Sequence, residues 1–434
     1  MHLLKIQRKV VATALAALMS AGALTGCAGN TKAELPADGT PPPAITVEPS
    51  ENNDLATIIE NPPVEISVVN GAVDSRLYDF IAERSAGENY IFSPLSFKAA
   101  LGLAVVGAEG QTQEQMLSVL GFSSLEELYA WYDTTREAVD KFYAAKERFQ
   151  EYAEGGEDME LRIINSVWRN TDAIGEVRDT YLQSIDEKFA ATAGEAPGEI
   201  LAEKVNNWSS EQTDGKITNV VEDLTDVSAV LANAVFLRSA WQDAFDASET
   251  KEDDFTIIDG SVIQKEYLNK KDSFRFFENG ENKLVAIPLN GGLSFIAVLG
   301  DVGNIKDALS MSNYDNVAVS IPKLDIESNF NRGELVDFMI ENGAGVAFTD
   351  MADFSAMVRG GYWRLSDILQ KARIETDEKG LEAAAVTIIT MDEAAALEPE
   401  EIQYKEFNAN RPFQFYVLTN GENPEILFAG ACRR

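Results

Sequence analysis

The chain has 434 residues, of which 45% are hydrophobic and 25% charged, so it has enough apolar material for one large packed core. Acidic residues outnumber basic residues by 71 to 36, and the resulting net charge of -35 would repel the phosphates of nucleic acids, which are not expected partners. The one histidine is His2, and the two cysteines are Cys27 and Cys432. This composition excludes a serine or cysteine protease with a catalytic histidine. It also gives no reason to expect a metal or another cofactor.

Residues 1–26 are typical of an export signal. Basic residues between Lys5 and Lys9 precede an apolar run over 10–23, which is too short for a stable membrane-spanning helix. The next residues, Leu24-Thr25-Gly26-Cys27, resemble a bacterial lipobox. The pattern predicts that the signal is removed and that Cys27 carries lipid, which would tether the protein to the outside of a bacterial cell membrane. An ordinary secretory signal is the alternative.

Residues 27–67 have the composition of a disordered tether. Pro, Ala, Thr, Asn and Glu predominate there, and no apolar period is sustained. We expect this segment to hold a folded domain, residues 68–434, away from the membrane. If Cys27 is acylated, Cys432 has no disulfide partner, and its position after an apolar run indicates a structural thiol that is at least half-buried.

Helices are predicted to dominate the first third of the domain. Apolar residues recur at helical spacing over 72–84, and Ser93-Pro94 is a favourable start for a second helix over 94–106. A change to β-branched and aromatic residues then predicts a strand. Two further helices are predicted at 111–120 and 125–150, and the strand at 161–168.

The rest of the domain is predicted to be mostly strands. Helical and strand patterns are interspersed without the regular strand-helix alternation of a parallel sheet. We therefore predict an α+β fold in which helices cover large, mainly antiparallel sheets. The predicted strands are 230–237, 255–258, 283–289, 293–299, 317–321, 413–418 and 425–429.

The segment from Leu381 to Glu393 has the character of a strand with one uncharged face. Five consecutive β-branched residues, 386–390, disfavour a helix. The small side chains of residues 383–385 would let the segment pass between two existing strands. As a strand of about 43 Å, it would place Glu382 and Asp392 on the opposite face. The uncharged face consists of Leu381, Ala383, Ala385, Thr387, Ile389 and Met391.

Several segments of this domain, in order, resemble the serpin family, and together they extend over nearly all of it. The most specific matches are a hinge-like segment at 377–385 and a strand-like segment at 407–413. A Glu-Ala-Ala run alone would carry little weight, but its position among the other segments makes chance a poor explanation. The other matching segments are 89–96, 107–112, 208–217, 231–237 with Trp241, and 321–324.

The resemblance implies suicide inhibition of a serine protease. In this mechanism the protease attacks an exposed reactive loop and forms an acyl-enzyme, and the loop inserts into the main sheet before hydrolysis, distorting the protease. The inhibitor is not an enzyme and needs no catalytic residue of its own. We expect a monomer that forms a covalent complex with its target.

The same resemblance assigns roles to two groups of residues. Gln370 stands where a histidine is often found, which removes a pH-dependent contribution to the opening of the sheet. Leu381 replaces the small residue that is common at the first inserting position, so we expect slower insertion of the loop. The hinge is identified as Glu378, Gly380, Leu381, Glu382, Ala383, Ala384 and Ala385. The region where the sheet opens is identified as Ser93, Ser96, Asn233, Trp241 and Gln370.

The reactive bond follows from family spacing. Counting from Gly380 places it at Ala394-Ala395, whereas counting back from the segment at 407–413 points near Glu401, because the chain is longer there. We prefer the first count, since insertion length constrains it. Other candidates are Met391, Glu393, Ala396 and Leu397.

The loop sequence also restricts the target protease. No Lys or Arg lies between Gly380 and Lys405, which argues against trypsin-like enzymes. Alanines suit the shallow apolar pocket of an elastase-like or subtilisin-like protease. A Glu-specific protease that cleaves after Glu393 is the second choice.

Three other functions are compatible with parts of the sequence. A noninhibitory serpin that acts as a binding module would have charged or bulky residues on the inserting face of the hinge, whereas the alternation here is uncharged. A solute-binding lipoprotein would need two lobes with parallel strands. An enzyme would need paired carboxylates or a metal cluster, whereas the acidic residues of 398–401 have no basic or histidine partner nearby in sequence.

Overall fold

The computed structural model leaves several parts of the chain undescribed. The predicted signal and tether, 1–67, lie outside the described residues, and so does the predicted loop from Glu382 to Glu401. The described ranges are 73–85, 87–152, 159–225, 227–330, 333–381, 402–421 and 424–434.

The helices predicted in the first third are confirmed to within two residues at each end. The Oγ of Ser93 accepts a hydrogen bond from the backbone N of Ser96 (3.2 Å), and Pro94 occupies the first turn, so the predicted helix start is correct. The helices of the described ranges are α1 Val73–Arg84, α2 Pro94–Gly107, α3 Gly110–Leu120, α4 Leu125–Tyr152, α5 Asp179–Phe189, α6 Gly198–Gln212, α7 Ile305–Met311 and α8 Glu334–Glu341. Among these helices, none is long and apolar enough to cross a membrane.

Strands make up most of the second half of the domain, as predicted. The first nine are β1 Tyr90–Phe92, β2 Glu160–Asn170, β3 Glu176–Val177, β4 Thr192–Ala196, β5 Ala229–Ala240, β6 Lys251–Thr256, β7 Val262–Asn279, β8 Asn282–Leu289 and β9 Leu293–Leu299. The others are β10 Asn313–Pro322, β11 Asp325–Phe330, β12 Val358–Arg359, β13 Ile368–Glu375, β14 Gly380–Leu381, β15 Lys405–Asn408, β16 Phe413–Thr419 and β17 Ile426–Cys432.

One predicted strand is displaced. The prediction for 255–258 is wrong at its C-terminal end, because β6 ends at Thr256 and a tight turn follows. In that turn the backbone N of Ile257 donates to Ser261 O (2.8 Å), and Gly260 adopts a φ of 88°, a conformation that favours glycine. The turn leads directly into β7, which the sequence did not predict.

The larger sheet contains nine of the strands. Its order is β1-β17-β16-β9-β8-β7-β10-β15, with β6 paired to β7. All neighbouring strands are antiparallel except β10 and β15, which are parallel. The predicted α+β fold with large, mainly antiparallel sheets is confirmed.

The smaller sheet, which we call the main sheet because the hinge joins it, contains six strands. Its order is β11-β13-β5-β2-β4, with β14 paired to β5. Two of its pairs are parallel, β13 with β5 and β2 with β4. Helix α2 contacts both β5 of the main sheet and β17 of the larger sheet. This position between two sheets explains why α2 is buried along nearly its whole length.

Burial of α2 brings a charged side chain into the core. The Nζ of Lys98 lies 3.0 Å from the carboxylate of Asp74 on α1, and the two side chains are only 8% and 11% exposed. The same ammonium lies 4.9 Å from the centre of the Trp131 ring and 3.9 Å from a carboxylate oxygen of Glu425. The ion pair therefore joins α1 to α2 inside the core.

We predict that Lys98→Met destabilises the domain by about 3–5 kcal/mol, because Asp74 is left as a buried charge without its partner. The double variant Asp74→Asn/Lys98→Met should recover most of this loss. Urea unfolding followed by tryptophan fluorescence measures both values. The control is Arg364→Met, which removes an exposed pair with Asp350 and should cost less than about 1 kcal/mol. Equal effects of the buried and exposed substitutions would contradict the prediction.

Candidate functional site

The two central strands of the main sheet are only partly joined. Strand β13 pairs with β5 through Ile368–Lys371 and Leu231–Ala234, although β13 continues to Glu375. Within the described ranges, no further ladder pairing joins these two strands. We call the interval between them beyond Lys371 the seam. Hinge residues occupy its far end.

Strand β14 contains two residues of the predicted hinge, and it lies between β5 and the end of β13. Gly380 and Leu381 pair antiparallel with Ala240 and Ser239 of β5, and Leu381 also bridges Thr376. The start of the predicted loop has thus already joined the main sheet as a short central strand.

Trp241 holds the hinge in this position. Its backbone N donates to Lys379 O (2.9 Å), and its indole Nε1 donates to Asp377 O (2.8 Å). The nearby backbone N of Phe245 donates to Glu378 O (2.8 Å). The Trp241 side chain is itself buried against Phe245, so its position is well defined. Trp241, which the sequence analysis assigned to the region where the sheet opens, is thus in direct contact with the predicted hinge.

A tight turn reverses the chain between β13 and β14. The Oδ1 of Asp377 accepts hydrogen bonds from the backbone N atoms of Lys379 (2.7 Å) and Gly380 (3.1 Å). The backbone N of Asp377 donates in turn to Gly380 O (2.9 Å). Aspartate favours such turns because its side chain can bond to the backbone two or three residues ahead.

Glu378 anchors this turn to the larger sheet. Its carboxylate accepts a hydrogen bond from Thr250 Oγ1 (2.7 Å) and pairs with Lys323 Nζ (2.9 Å). Burial alone would raise the pKa of Glu378, but the bonds from Thr250 and Lys323 hold this pKa below its usual value. Burial alone would lower the pKa of Lys323, but the nearby carboxylate of Glu378 raises this pKa above its usual value. Both groups are therefore charged at neutral pH.

Glycine is required at position 380 by close packing against β5. A methyl group there would lie 2.6 Å from Ala240 Cα and closer still to Ser239 O, and both are backbone atoms that cannot move aside cheaply. The next residue, Leu381, is buried in a core cluster that includes Leu237 and Ile374. We expected Leu381 to slow insertion, and the structure shows that its side chain is already accommodated in the core.

A row of buried polar side chains crosses the main sheet where β5 and β13 are still paired. Asn233 lies opposite Asn165 on β2 and opposite Gln370 on β13. The Nδ2 of Asn233 donates to Asn165 Oδ1 (2.6 Å). Its own Oδ1 is buried and has no hydrogen-bond partner in the described part of the chain. The row thus contains an acceptor that another donor could satisfy.

Gln370 makes one hydrogen bond through each end of its side-chain amide. The backbone N of Ser93 donates to Gln370 Oε1 (2.9 Å), and Gln370 Nε2 donates to Ser93 O (3.0 Å). Glutamine at this position thus fastens the start of α2 to β13 without a titratable group. Ser96 bonds to Ser93 rather than to the row itself, and its buried Oγ has no partner among the described residues.

The sequence analysis missed Asn165. The residue lies at the centre of β2, where its Oδ1 accepts the hydrogen bond from Asn233 Nδ2. A single Asn within the apolar run 161–168 was the available signal, because an isolated polar residue in a central strand needs a buried partner.

The predicted reactive bond lies outside the described residues. This is true of the hinge residues Glu382 and 383–385, and of all reactive-bond candidates from Met391 to Leu397. The description resumes at Ile402 and enters β15, which pairs parallel with β10 of the larger sheet. The two ends of the predicted loop therefore lie in different sheets.

Two expectations concern chemistry away from the hinge. In the part of the chain that the structure describes, no group of three or more His, Cys, Asp or Glu side chains could hold a metal ion. Cys432 is fully buried, and burial raises the pKa of its thiol to about 11. This agrees with the prediction of a structural thiol.

Comparison with known proteins gives consistent matches over the whole domain. Residues 69–434 match the family model described as "Serpin (serine protease inhibitor)". An uncharacterized serpin-like protein of Thermococcus kodakarensis is 30% identical over 386 residues, which cover 84% of this chain and 85% of that protein.

Solved structures show the same fold. The thermophilic serpin tengpin, in its native state, superposes with a TM-score of 0.70 at 25% identity, covering 86% of this chain and 95% of that chain. A human thyroxine-binding globulin complex gives a TM-score of 0.69 at 19% identity, covering 85% of this chain and 98% of that chain. The second likeness is one of fold alone.

We predict that Gly380→Ala expels the hinge from the seam, because the added methyl group clashes with the backbone of β5. Amide hydrogen exchange in peptides covering 376–381 should accelerate by about tenfold or more as the hydrogen bonds around Trp241 are lost. The control is Gly345→Ala, where the nearest atom to the added carbon is 3.8 Å away. Unchanged exchange at 376–381 in Gly380→Ala would show that the hinge tolerates the methyl group in place.

Proposed function

The chain belongs to the serpin family, and from this membership we propose that it inhibits a serine protease by inserting its cleaved loop into the main sheet. The observation that carries the proposal is the position of β14. Its pairing with β5 gives the loop a starting register in the seam. Extension of β14 along that register would make the loop a full central strand.

The register can be followed along β5 and β13. Leu381 lies opposite Ser239 on one side and bridges Thr376 on the other. If both antiparallel ladders continue, Thr387 comes to lie between Asn233 and Gln370. Its hydroxyl would then enter the polar row, where Asn233 Oδ1 has no donor within the described ranges. Insertion to this depth would satisfy a buried group that is costly to leave unpaired.

The same register explains the uncharged face of the loop. Ala383 would lie opposite Leu237 and Ile374, and Ala385 opposite Val235, all of which belong to one buried cluster. Alanine side chains fit between residues that already fill the core. A charged side chain at either position would be buried without a partner, at a cost of several kcal/mol. This alternation favours an inhibitor over a noninhibitory binding module.

Trapping depends on two competing rates. After the protease has formed its acyl-enzyme, either water hydrolyses the ester or the loop inserts and carries the protease with it. Because β14 is already in the sheet, insertion begins from a nucleated strand, and each further residue adds ladder hydrogen bonds. The chain supplies no catalytic group in this process, and the chemistry of cleavage is that of the protease.

For the target, we propose an elastase-like or subtilisin-like protease that cleaves at Ala394-Ala395. The support is the run of alanines and the lack of Lys and Arg from Leu381 to Tyr404. Cleavage after Glu393 by a Glu-specific protease is the second possibility. We further propose that lipid at Cys27 anchors the protein outside a bacterial cell, which rests on the sequence of the first 27 residues.

We predict that the full-length protein forms a complex with an elastase or subtilisin that survives denaturing electrophoresis, and that trypsin does not form one. The complex should migrate near the summed mass, because the acyl bond is preserved by distortion of the protease. Mass spectrometry should detect a released peptide beginning at Ala395. Complete cleavage by each protease without any complex would contradict inhibition and support a binding module.

A matched pair of substitutions tests insertion directly. We predict that Ala385→Glu, on the core face, lowers the fraction of protease trapped to below about a tenth, because burial of an unpaired carboxylate costs several kcal/mol. Ala384→Glu, on the opposite face beside Arg373 in the extended register, should retain at least about half of the trapping. Densitometry of the complex and cleaved bands measures both fractions. Equal loss in the two variants would contradict the proposed register.

A further inference from the structure

Insertion in the proposed register would carry the protease to the end of the main sheet opposite the hinge, where β5 and β13 begin. Because Leu381 pairs with Ser239, a continued ladder places Met391 opposite the first residue of β5. Ala394 would follow about 10 Å farther on, since a strand rises by about 3.3 Å per residue. The acyl bond to the protease would therefore emerge beyond this end of the sheet, which we call the far pole.

Two loops of the far pole are fixed against each other. The first, 171–175, follows β2, and the second, 360–367, leads into β13. The indole Nε1 of Trp363 in the second loop donates to Ile174 O in the first (2.8 Å), and the Trp363 side chain is buried in the core. A methyl group at Gly361 would lie 2.1 Å from Ile174 O, so the two backbones are in close contact. The pairing of β12 with β3 continues this contact, and the loops form one surface.

Three large apolar side chains of this surface, which we call the apolar tips, are exposed to solvent. Tyr362 is 95% exposed and Ile174 is 80% exposed. Met351 is 66% exposed, and it follows Asp350, whose carboxylate pairs with Arg364 of the second loop (2.9 Å). None of the three belongs to a buried cluster of the described residues. The fold therefore gains little from them, and apolar side chains gathered at one place on a surface are typical of an interaction site.

Charged side chains beside the apolar tips are paired with one another. Besides the pair of Arg364 with Asp350, Arg359 of β12 pairs with Glu176 of β3 (2.7 Å), and both pairs are exposed. A polar rim around apolar and aromatic side chains is the usual arrangement of a protein interface. A surface that binds lipid headgroups would instead carry an excess of basic residues. The far pole therefore favours a protein partner over a membrane.

We propose that Ile174, Met351 and Tyr362 form a contact surface for the protease that the inserted loop has carried to the far pole. This inference rests on the insertion mechanism proposed above. The protease is held there by the ester between its serine and Ala394. Hydrolysis of this ester by water would free the serine hydroxyl and leave a carboxylate at Ala394. Contact with the apolar tips restrains the protease and opposes recovery of the geometry that hydrolysis needs, so the tips lengthen the lifetime of the complex.

The test measures how long the complex lasts. The triple variant Ile174→Ser/Met351→Ser/Tyr362→Ser removes the apolar tips, and substitutions of exposed side chains should leave the fold intact. The full-length variant is mixed with an elastase, unreacted protease is removed, and the return of protease activity is followed together with loss of the complex band. We expect release about tenfold faster than from the wild type, because a few apolar and aromatic anchors supply most of the binding energy of an interface.

Met311→Ser/Tyr314→Ser is the matched control. These side chains are 58% and 71% exposed, but they lie on α7 and β10, two elements that contact β7 of the larger sheet. Release from this variant should stay within about twofold of the wild-type rate.

Photocrosslinking gives a second measurement that does not depend on the folding of the triple variant. Benzoylphenylalanine in place of Tyr362 should crosslink to the protease when the complex is irradiated. Hydroxylamine then cleaves the acyl ester under denaturing conditions, so only crosslinked chains remain joined on a gel. The same amino acid in place of Tyr314 should leave no joined chains.

The outcomes separate this inference from the proposed function. Unchanged release from the triple variant, or no crosslink from position 362 in a complex that forms, would overturn the contact surface and leave inhibition standing. Unchanged release combined with weaker binding of the triple variant to vesicles of phosphatidylcholine and phosphatidylglycerol would assign the apolar tips to lipid and overturn the inference as well. If the wild type is cleaved without forming any complex, inhibition is wrong, and this inference fails with it.

Discussion

The incomplete pairing of β5 with β13 is the constraint on which the rest of the site depends. A parallel pair joined only along Ile368–Lys371 leaves the remainder of β13 available to another strand. Buried backbone groups need hydrogen-bond partners, so the part of β13 beyond Lys371 is a place where a further strand can add ladder hydrogen bonds. The first residues of the predicted hinge do so at the far end, where β14 lies between the two strands. Between the two ends of the seam, the strand that we propose to insert is the loop of the chain itself.

The two ends of the seam are held by different kinds of interaction. At the hinge, backbone bonds from Trp241 and the pair of Glu378 with Lys323 fix a short, tight turn. At the closed end, where β5 and β13 are paired, polar side chains meet in the core, and Asn233 Oδ1 has no partner among the residues that the structure describes. An unpaired buried polar atom costs about 1–3 kcal/mol, which is a substantial fraction of the stability of a domain. The closed end is thus a place where an additional donor lowers the free energy.

Periodicity predicted most of this fold but not its open seam. Helix α2 was predicted from Ser93-Pro94, and β9 was predicted with the bounds that the structure shows. In contrast, β7 carries Lys and Glu side chains on both faces, so no alternation reveals an 18-residue strand. Asn165 was missed because a polar residue in a strand is usually exposed. The position of β14 depends on the close approach of Gly380 to Ser239 and Ala240. These residues are distant in sequence, so no local sequence pattern predicts the contact.

The residues that hold the closed sheet and those that an inserted strand would meet form two largely separate sets. Residues 213–225 and Lys371 contact the face of the main sheet that packs against α6, whereas the polar row and the core residues Leu237 and Ile374 lie on the face toward α2. Because successive residues of a strand point to opposite faces, a loop inserted in the proposed register would meet the core and the polar row with Ala383, Ala385 and Thr387. It would meet the α6 side with Glu382 and Ala384, so the two sets of alternate positions would answer to different neighbours.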